Sequence, residues 1–193
     1  MIDPGFFKEL LQTRPEEVCR RALCQYDASI KSYLVETWIG VYCVDPGSAQ
    51  IKPCNSSPSL DPGFELAVLF YLLRAKDLPL SGEWISEKDI PDGVTFFRGP
   101  HALPVHLVAE RFGHDLEGLG KACEGLGGTP LDMADAAYSF RVLPRVPAAV
   151  LLWAADSEFE AEARMLFDRT ISSHLPLDVI FGLSVEVCSR IAS

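Results

Sequence analysis

The sequence predicts an α+β fold in which antiparallel strands and hairpins pack with a buried central helix and terminal helices. Three observations lead there. The stretch 29–44 is dense in β-branched and aromatic residues, and 137–153 alternates before turning apolar, as a hairpin does. Ten of the thirteen residues from Phe64 to Lys76 are apolar or aromatic, and a helix without a polar face belongs inside a core. Helical patterns open and close the chain instead of alternating with the strands, which disfavours a parallel sheet.

The elements follow in order. Pro4 to Gln12 reads as a first helix. A second starts from a Thr13 cap, with Pro15, Glu16 and Glu17 in its first turn, and runs to about Tyr26. Strands fill 29–44, with Gly40 at a turn or bulge, and Ala49 to Lys52 adds a short edge strand. Eleven of the nineteen residues in 45–63 are Pro, Gly, Ser or Asn, so this stretch is an exposed internal loop. After the central helix, 80–93 is turn-rich and Val94 to Arg98 is a short strand. Pro104 to Phe112 and Asp115 to Leu126 are helices, the second stopped by Gly127 and Gly128. The hairpin 137–153 has a half-exposed first strand and a buried second. Glu160 and Arg164 pair at i,i+4 on a following helix. Asp168 pairs with Arg169, and His174 helps cap a terminal helix from Leu175 to about Ile191.

The chain has 193 residues, 48% of them hydrophobic and 23% charged. This is globular composition, and at about 100–200 residues per domain it predicts one domain over 1–193. Seventeen basic residues against twenty-seven acidic ones give a net charge of −10. That field repels nucleic acid and anionic membrane surfaces, and no basic stripe offsets it. The first residues carry no basic-then-apolar leader pattern, and the longest apolar run, Leu66 to Leu73, is eight residues against the roughly 20 that span a bilayer. A cytoplasmic protein is expected.

Cysteines stand at 19, 24, 43, 54, 123 and 188 with no CxxC among them, so free thiols are expected rather than a zinc or cluster site. Cys19 and Cys24 sit five apart on the expected second helix, where they face different ways. Cys54, in the loop, is expected to be the most accessible thiol.

The candidate chemistry is sparse. His101 and His106 are five apart around Pro104; a regular helix would splay them, and the proline can bring them together. A lone imidazole also suits the axial position of a haem or corrinoid metal. Arg98, Arg141 and Arg145 offer guanidinium forks to an anionic group. Asp135, Asp156 and Glu158 head an acidic set that includes Asp132, Asp168 and Asp178, suited either to acid–base work or to helix capping. No spacing marks a metal loop, a phosphate loop or a serine nucleophile, so no metal ligand is assigned.

An ordered combination of segments carries a resemblance. It comprises Gly127-Gly128-Thr129-Pro130, Asp135, Val142-Leu143-Pro144-Arg145-Val146-Pro147, Leu152-Trp153, Asp156, Glu158-Phe159, Leu166-Phe167-Asp168 and Leu175-Pro176-Leu177-Asp178. Together with 26–45 and Ser81-Gly82-Glu83-Trp84, it resembles the bacterial and archaeal family catalogued as domain of unknown function 3786. The resemblance implies no particular reaction. By association it implies anaerobic metal or corrinoid metabolism, and longer members carry an iron–sulfur-type module whose cysteines this chain lacks.

Three readings follow. The first is an accessory protein of anaerobic, corrinoid- or iron–sulfur-linked metabolism that binds a small molecule or metal cofactor through His101, His106, Arg98 and Arg145. The second is a carboxylate-based enzyme, with or without a metal, built on Asp135, Asp156 and Glu158. The third is a protein-interaction adaptor that makes contact through 45–63.

Overall fold

The structure, a computed structural model, describes residues 2–193. Helix α1 (Pro4–Gln12) starts where the Asp3 carboxylate accepts the Gly5 N–H at 2.8 Å. Helix α2 (Pro15–Ala22) places Glu16 and Glu17 in its first turn and Arg20 and Arg21 in its last, matching the helix dipole at both ends. It stops four residues earlier than the sequence suggests, because Leu23 takes a left-handed conformation (φ 50°) and reverses the chain.

An antiparallel meander follows: β1 (Gln25–Asp27), β2 (Ser32–Thr37), β3 (Gly40–Asp45) and β4 (Gln50–Pro53), paired in chain order. Tyr33, Val35, Tyr42 and Val44 point inward and are buried. The loop beyond β4 is strapped down. The Ser57 hydroxyl accepts the Val41 N–H, Tyr42 donates to the Pro58 carbonyl at 2.8 Å, and Arg190 donates to the Ser59 carbonyl at 2.8 Å.

Helix α3 (Pro62–Arg74) is the buried central helix, with Phe64, Ala67, Val68, Leu69, Tyr71 and Leu72 fully inside. Within the turn-rich connection that follows, Trp84–Ser86 form a short strand, β5. Val94–Arg98 is not a strand: Gly93–Phe96 form the short helix α4. Asp92 enters it in a left-handed conformation, and a Cβ on Gly93 would collide with the Glu87 carbonyl oxygen, so only glycine allows the tight turn. Helices α5 (His106–Phe112) and α6 (Leu116–Gly125) lie close to their predicted ranges.

The second sheet adds β6 (Thr129–Pro130), β7 (Ala136–Leu143), β8 (Val146–Trp153) and β9 (Glu162–Asp168), in the order β5-β9-β8-β7-β6, all antiparallel. The hairpin is β7–β8, with β8 buried almost throughout. The helix expected around Glu160 and Arg164 is instead β9. Ala163, Met165 and Phe167 face the core, while Glu162 and Arg164 stand on the other face and pair at 2.7 Å. That is a period of two, and β8 needs a neighbour on its second edge. A short α7 (Ile171–His174) precedes the terminal α8 (Leu177–Ile191), which packs along α3. One apolar cluster takes in Tyr33 and Val35 of the first sheet and Phe140 and Val150 of the second. The sheets also touch directly, where the Trp38 backbone N–H donates to the Val142 carbonyl at 3.2 Å and its ring meets Phe140 edge-on.

Two polar anchors hold these parts together. The Arg145 side chain, only 11% exposed, donates to the carbonyls of Arg21 (2.8 Å) and Leu78 (2.7 Å) and to the Asp77 carboxylate (2.5 Å). Its backbone N–H donates to the Tyr71 hydroxyl, which in turn donates to the Ala22 carbonyl at 3.0 Å. Burial pushes the Tyr71 phenol up, so it stays a donor. Asp168, 4% exposed, accepts from the N–H groups of Ser81, Gly82 and Thr170 and from the Thr170 hydroxyl. Arg169 therefore pairs with Glu83 and not with Asp168. His174 is 1% exposed and does not cap α8; its Nδ1 accepts the Lys76 N–H, a neutral role that its burial favours by pushing its pKa down.

Replacing Arg145 with alanine leaves the Arg21 and Leu78 carbonyls and the Asp77 carboxylate without their shared donor and should cost about 2 kcal/mol of unfolding free energy, read from urea titration. Lysine, a single point charge, should restore little of it. Burial alone would raise the Asp168 pKa, but the four donors outweigh it and bring it to about 2. An unfolded aspartate titrates near about 3.9, so this contribution is whole above that value and disappears as the pH falls towards the folded pKa. Asp168→Asn should be about 2 kcal/mol less stable than the parent at neutral pH, with the gap narrowing near about pH 2.5.

Candidate functional site

The second sheet has a ragged edge. Strand β5 pairs only with Leu166–Asp168, so residues 162–165 of β9 have β8 on one side and no strand on the other. Two grooves open along this gap, of about 530 and 320 Å³, and they share Val105, Glu162 and Ala163.

The larger groove lies between α5 and the segment 155–163. Its floor is made of small residues: Ala109 and Gly113 from the helix side, Ala155, Ala161 and Ala163 from the strand side. A Cβ on Gly113 would collide with the Ala161 methyl, and the Gly113 carbonyl accepts the Ala155 N–H at 2.9 Å. The helix thus sits close to the chain beneath it, and the absence of side-chain bulk forms the hollow.

The rim carries the chemistry. His106, Glu110 and His114 are spaced four apart, which stacks them on one face of α5 and its C-terminal turn. Glu160 and Glu162 line the other wall. All five are exposed. Glu162 is engaged by Arg164, whose guanidinium lies 5.2 Å from the centre of the Trp153 ring. Glu110 and Glu160 have no ion-pair partner among the described residues. The smaller groove continues past Glu87, Lys88, Phe97 and Met165. The trough is therefore an acidic, weakly apolar hollow with two imidazoles at its edge, suited to a positively charged ligand.

Of the residues singled out from the sequence, His106 borders this trough. His101 is elsewhere: its ring stacks on Phe96 at 4.7 Å and meets Phe181 edge-on. Arg98 is exposed beside α4. Arg145 has its guanidinium occupied by main-chain carbonyls and Asp77, so the four do not share one cavity. The three carboxylates are placed apart from it. Asp135 accepts the Ala154 N–H at 2.9 Å, and Asp156 accepts the N–H groups of Glu158 and Phe159, which hold its carboxyl below the usual range. Neither they nor the exposed Glu158 line the trough. Of the three arginines offered for an anion, Arg141 alone lines a hollow, a small one of about 160 Å³ beside Trp38.

Among the described residues, no three His, Cys, Asp or Glu side chains come together to hold a metal ion. The acidic lining of Glu110, Glu160 and Glu162 fits a haem, which carries two anionic propionates, poorly. The loop 45–63 carries none of the large exposed apolar side chains an adaptor contact would use; these are Leu11, Leu23, Ile30, Leu78, Leu80, Val94 and Phe159. Sequence reasoning missed Glu110, His114, Glu160 and Glu162 as a group. The signal available was the i,i+4,i+8 spacing of His106, Glu110 and His114 along α5 and the turn that ends it, whereas the opposite wall depends on where β9 lies.

Among the described residues, no helix is long and apolar enough to cross a membrane. A family model described as a domain of unknown function (DUF3786) matches residues 14–190. No curated protein and no solved structure matches the chain.

The close helix–strand contact under the trough is testable. Gly113→Ala should lower stability by about 1–3 kcal/mol through overpacking against Ala161, and a second change, Ala161→Gly, should recover part of the loss. Thermal unfolding of the single and double variants measures both.

Proposed function

The chain belongs to the domain of unknown function 3786 family, and we propose that this member is a binding protein whose acidic trough takes a small organic cation. The observation that carries the reading is the stripe His106–Glu110–His114 facing Glu160 and Glu162 across a floor of alanines and glycine. An ammonium or guanidinium group is matched by the two carboxylates without a partner, and a short aliphatic body rests on the small-residue floor. The imidazoles supply further hydrogen bonds at the rim. Because these groups are exposed, each ion pair contributes less than about 1 kcal/mol, and the affinity is modest. Such a protein presents or carries a ligand, which is the accessory role. A place in anaerobic metabolism rests on the family resemblance alone.

Calorimetric titration with putrescine or agmatine tests the reading, with succinate as the anionic counterpart. The amines should bind, more weakly at high salt, and succinate should not. Two exposed pairs at about 0.7 kcal/mol each predict about a tenfold loss in Glu110→Gln/Glu160→Gln, with thermal stability unchanged. Equal binding of succinate, or amine binding indifferent to both substitutions, would sink the proposal.

A further inference from the structure

At the end of α2 the structure places two thiols side by side. The Cys24 thiol donates to Cys19 Sγ at 4.0 Å. On a continued helix, residues five apart diverge; here the helix stops at Ala22 and left-handed Leu23 folds the chain back. The N–H groups of Leu23 and Cys24 both donate to the Cys19 carbonyl, so the two backbones are held at hydrogen-bond distance. Both thiols are half-buried, next to exposed Arg20 and Leu23, whereas Cys123 and Cys188 are buried.

We propose that Cys19 and Cys24 form a reversible disulfide, a thiol-modification site at the C-terminal turn of α2 that uses a low-molecular-weight disulfide as oxidant. A sulfur–sulfur bond is about 2 Å long, so the two sulfurs must close about 2 Å, and the shared hydrogen bonds to the Cys19 carbonyl keep the two backbones near each other while they do. Cys19 acts first. Burial pushes both thiols up, but Cys24 is much the more affected, so Cys19 yields its proton more readily. The Cys19 thiolate attacks one sulfur of the small disulfide, forming a mixed disulfide and expelling one small thiolate, which takes up a proton. Cys24, deprotonated in turn, attacks Cys19 Sγ and expels the second small thiol. Two protein thiols are oxidised and one small disulfide is reduced to two thiols.

The intervening Arg20 and Arg21 make the product readable. Trypsin cleaves between the cysteines, leaving Glu9–Arg20 and Ala22–Lys31 as separate peptides unless a disulfide joins them. The whole chain is incubated with oxidised glutathione, its free thiols are blocked with N-ethylmaleimide, and the digest is analysed by mass spectrometry with and without reductant. The two peptides should run as one species that reductant separates. Cys24→Ser should instead retain glutathione on Cys19, showing which thiol attacks and which resolves. The proposal is overturned if both cysteines stay alkylatable in the folded chain under conditions that oxidise the urea-unfolded one. It is equally overturned if wild-type Cys19 keeps its glutathione, or if the bond forms between Cys43 and Cys54 instead. A Cys24→Ala variant with unchanged thermal stability guards against reading a folding defect as lost chemistry.

Discussion

The Arg145 guanidinium is the contact on which the docking of the β7–β8 hairpin against α2 and the segment after α3 depends. It leaves the turn of the β7–β8 hairpin and enters a pocket made from two other parts of the chain: the last turn of α2, and Asp77 and Leu78 in the segment after α3. Only a planar fork with several fixed donors can serve carbonyls in different directions at once. The neighbouring Arg21 does the same for α3, donating to the carbonyls of Leu72, Leu73 and Ala75 at its otherwise open C-terminal end. Tyr71 closes the circuit from inside the core. A hairpin, two helices and a connecting segment are thereby held in one register, and the apolar cluster fills the space between them.

The same logic explains why a trough exists at all. Strand β5 is short because both of its ends are captured. Asp168 takes the N–H groups of Ser81 and Gly82 just before it, and Asp89 takes the N–H and hydroxyl of Ser86 where it ends. The sheet edge beyond is left to α5, a helix that lies close there because Ala109 and Gly113 have so little side chain. A sheet edge covered by a helix is protected from pairing with another chain, and the imperfect cover leaves room for a ligand.

Elements with strong local periodicity are legible in the sequence. The central helix, the β7–β8 hairpin, the terminal helix and the Gly-stopped α6 all follow from patterns within a few residues. Two elements depart from their local signals for identifiable reasons. Around Glu160 an i,i+4 charge pair suggests a helix, but the alternation of Ala163, Met165 and Phe167 and the open edge of β8 make a strand. At Val94 apolar β-formers suggest a strand, but the Asp92–Gly93 turn makes a helix. The candidate site is far less legible. His106 is visible as a histidine near a helix start, but the wall facing it comes from a strand some fifty residues later in the chain. The thiol pair is hidden by one residue, since a left-handed leucine is not a local signal.

Composition and periodicity alone determined the acidic surface, the α+β class, the buried helix and the absence of familiar catalytic motifs. These depend on hydrophobic spacing and residue type, which act within a turn or two of chain. Tertiary structure alone decided that Arg145 and Asp168 are anchors, that Asp135 ties the segment before β7 to the end of β8, that Asp156 holds a turn, and that Cys19 meets Cys24. It also decided that His106 shares a hollow with Glu110 and Glu160. A charged side chain has the same letters whether it caps a loop or faces a ligand. The difference lies in which distant carbonyls and amides reach it first, and packing sets that.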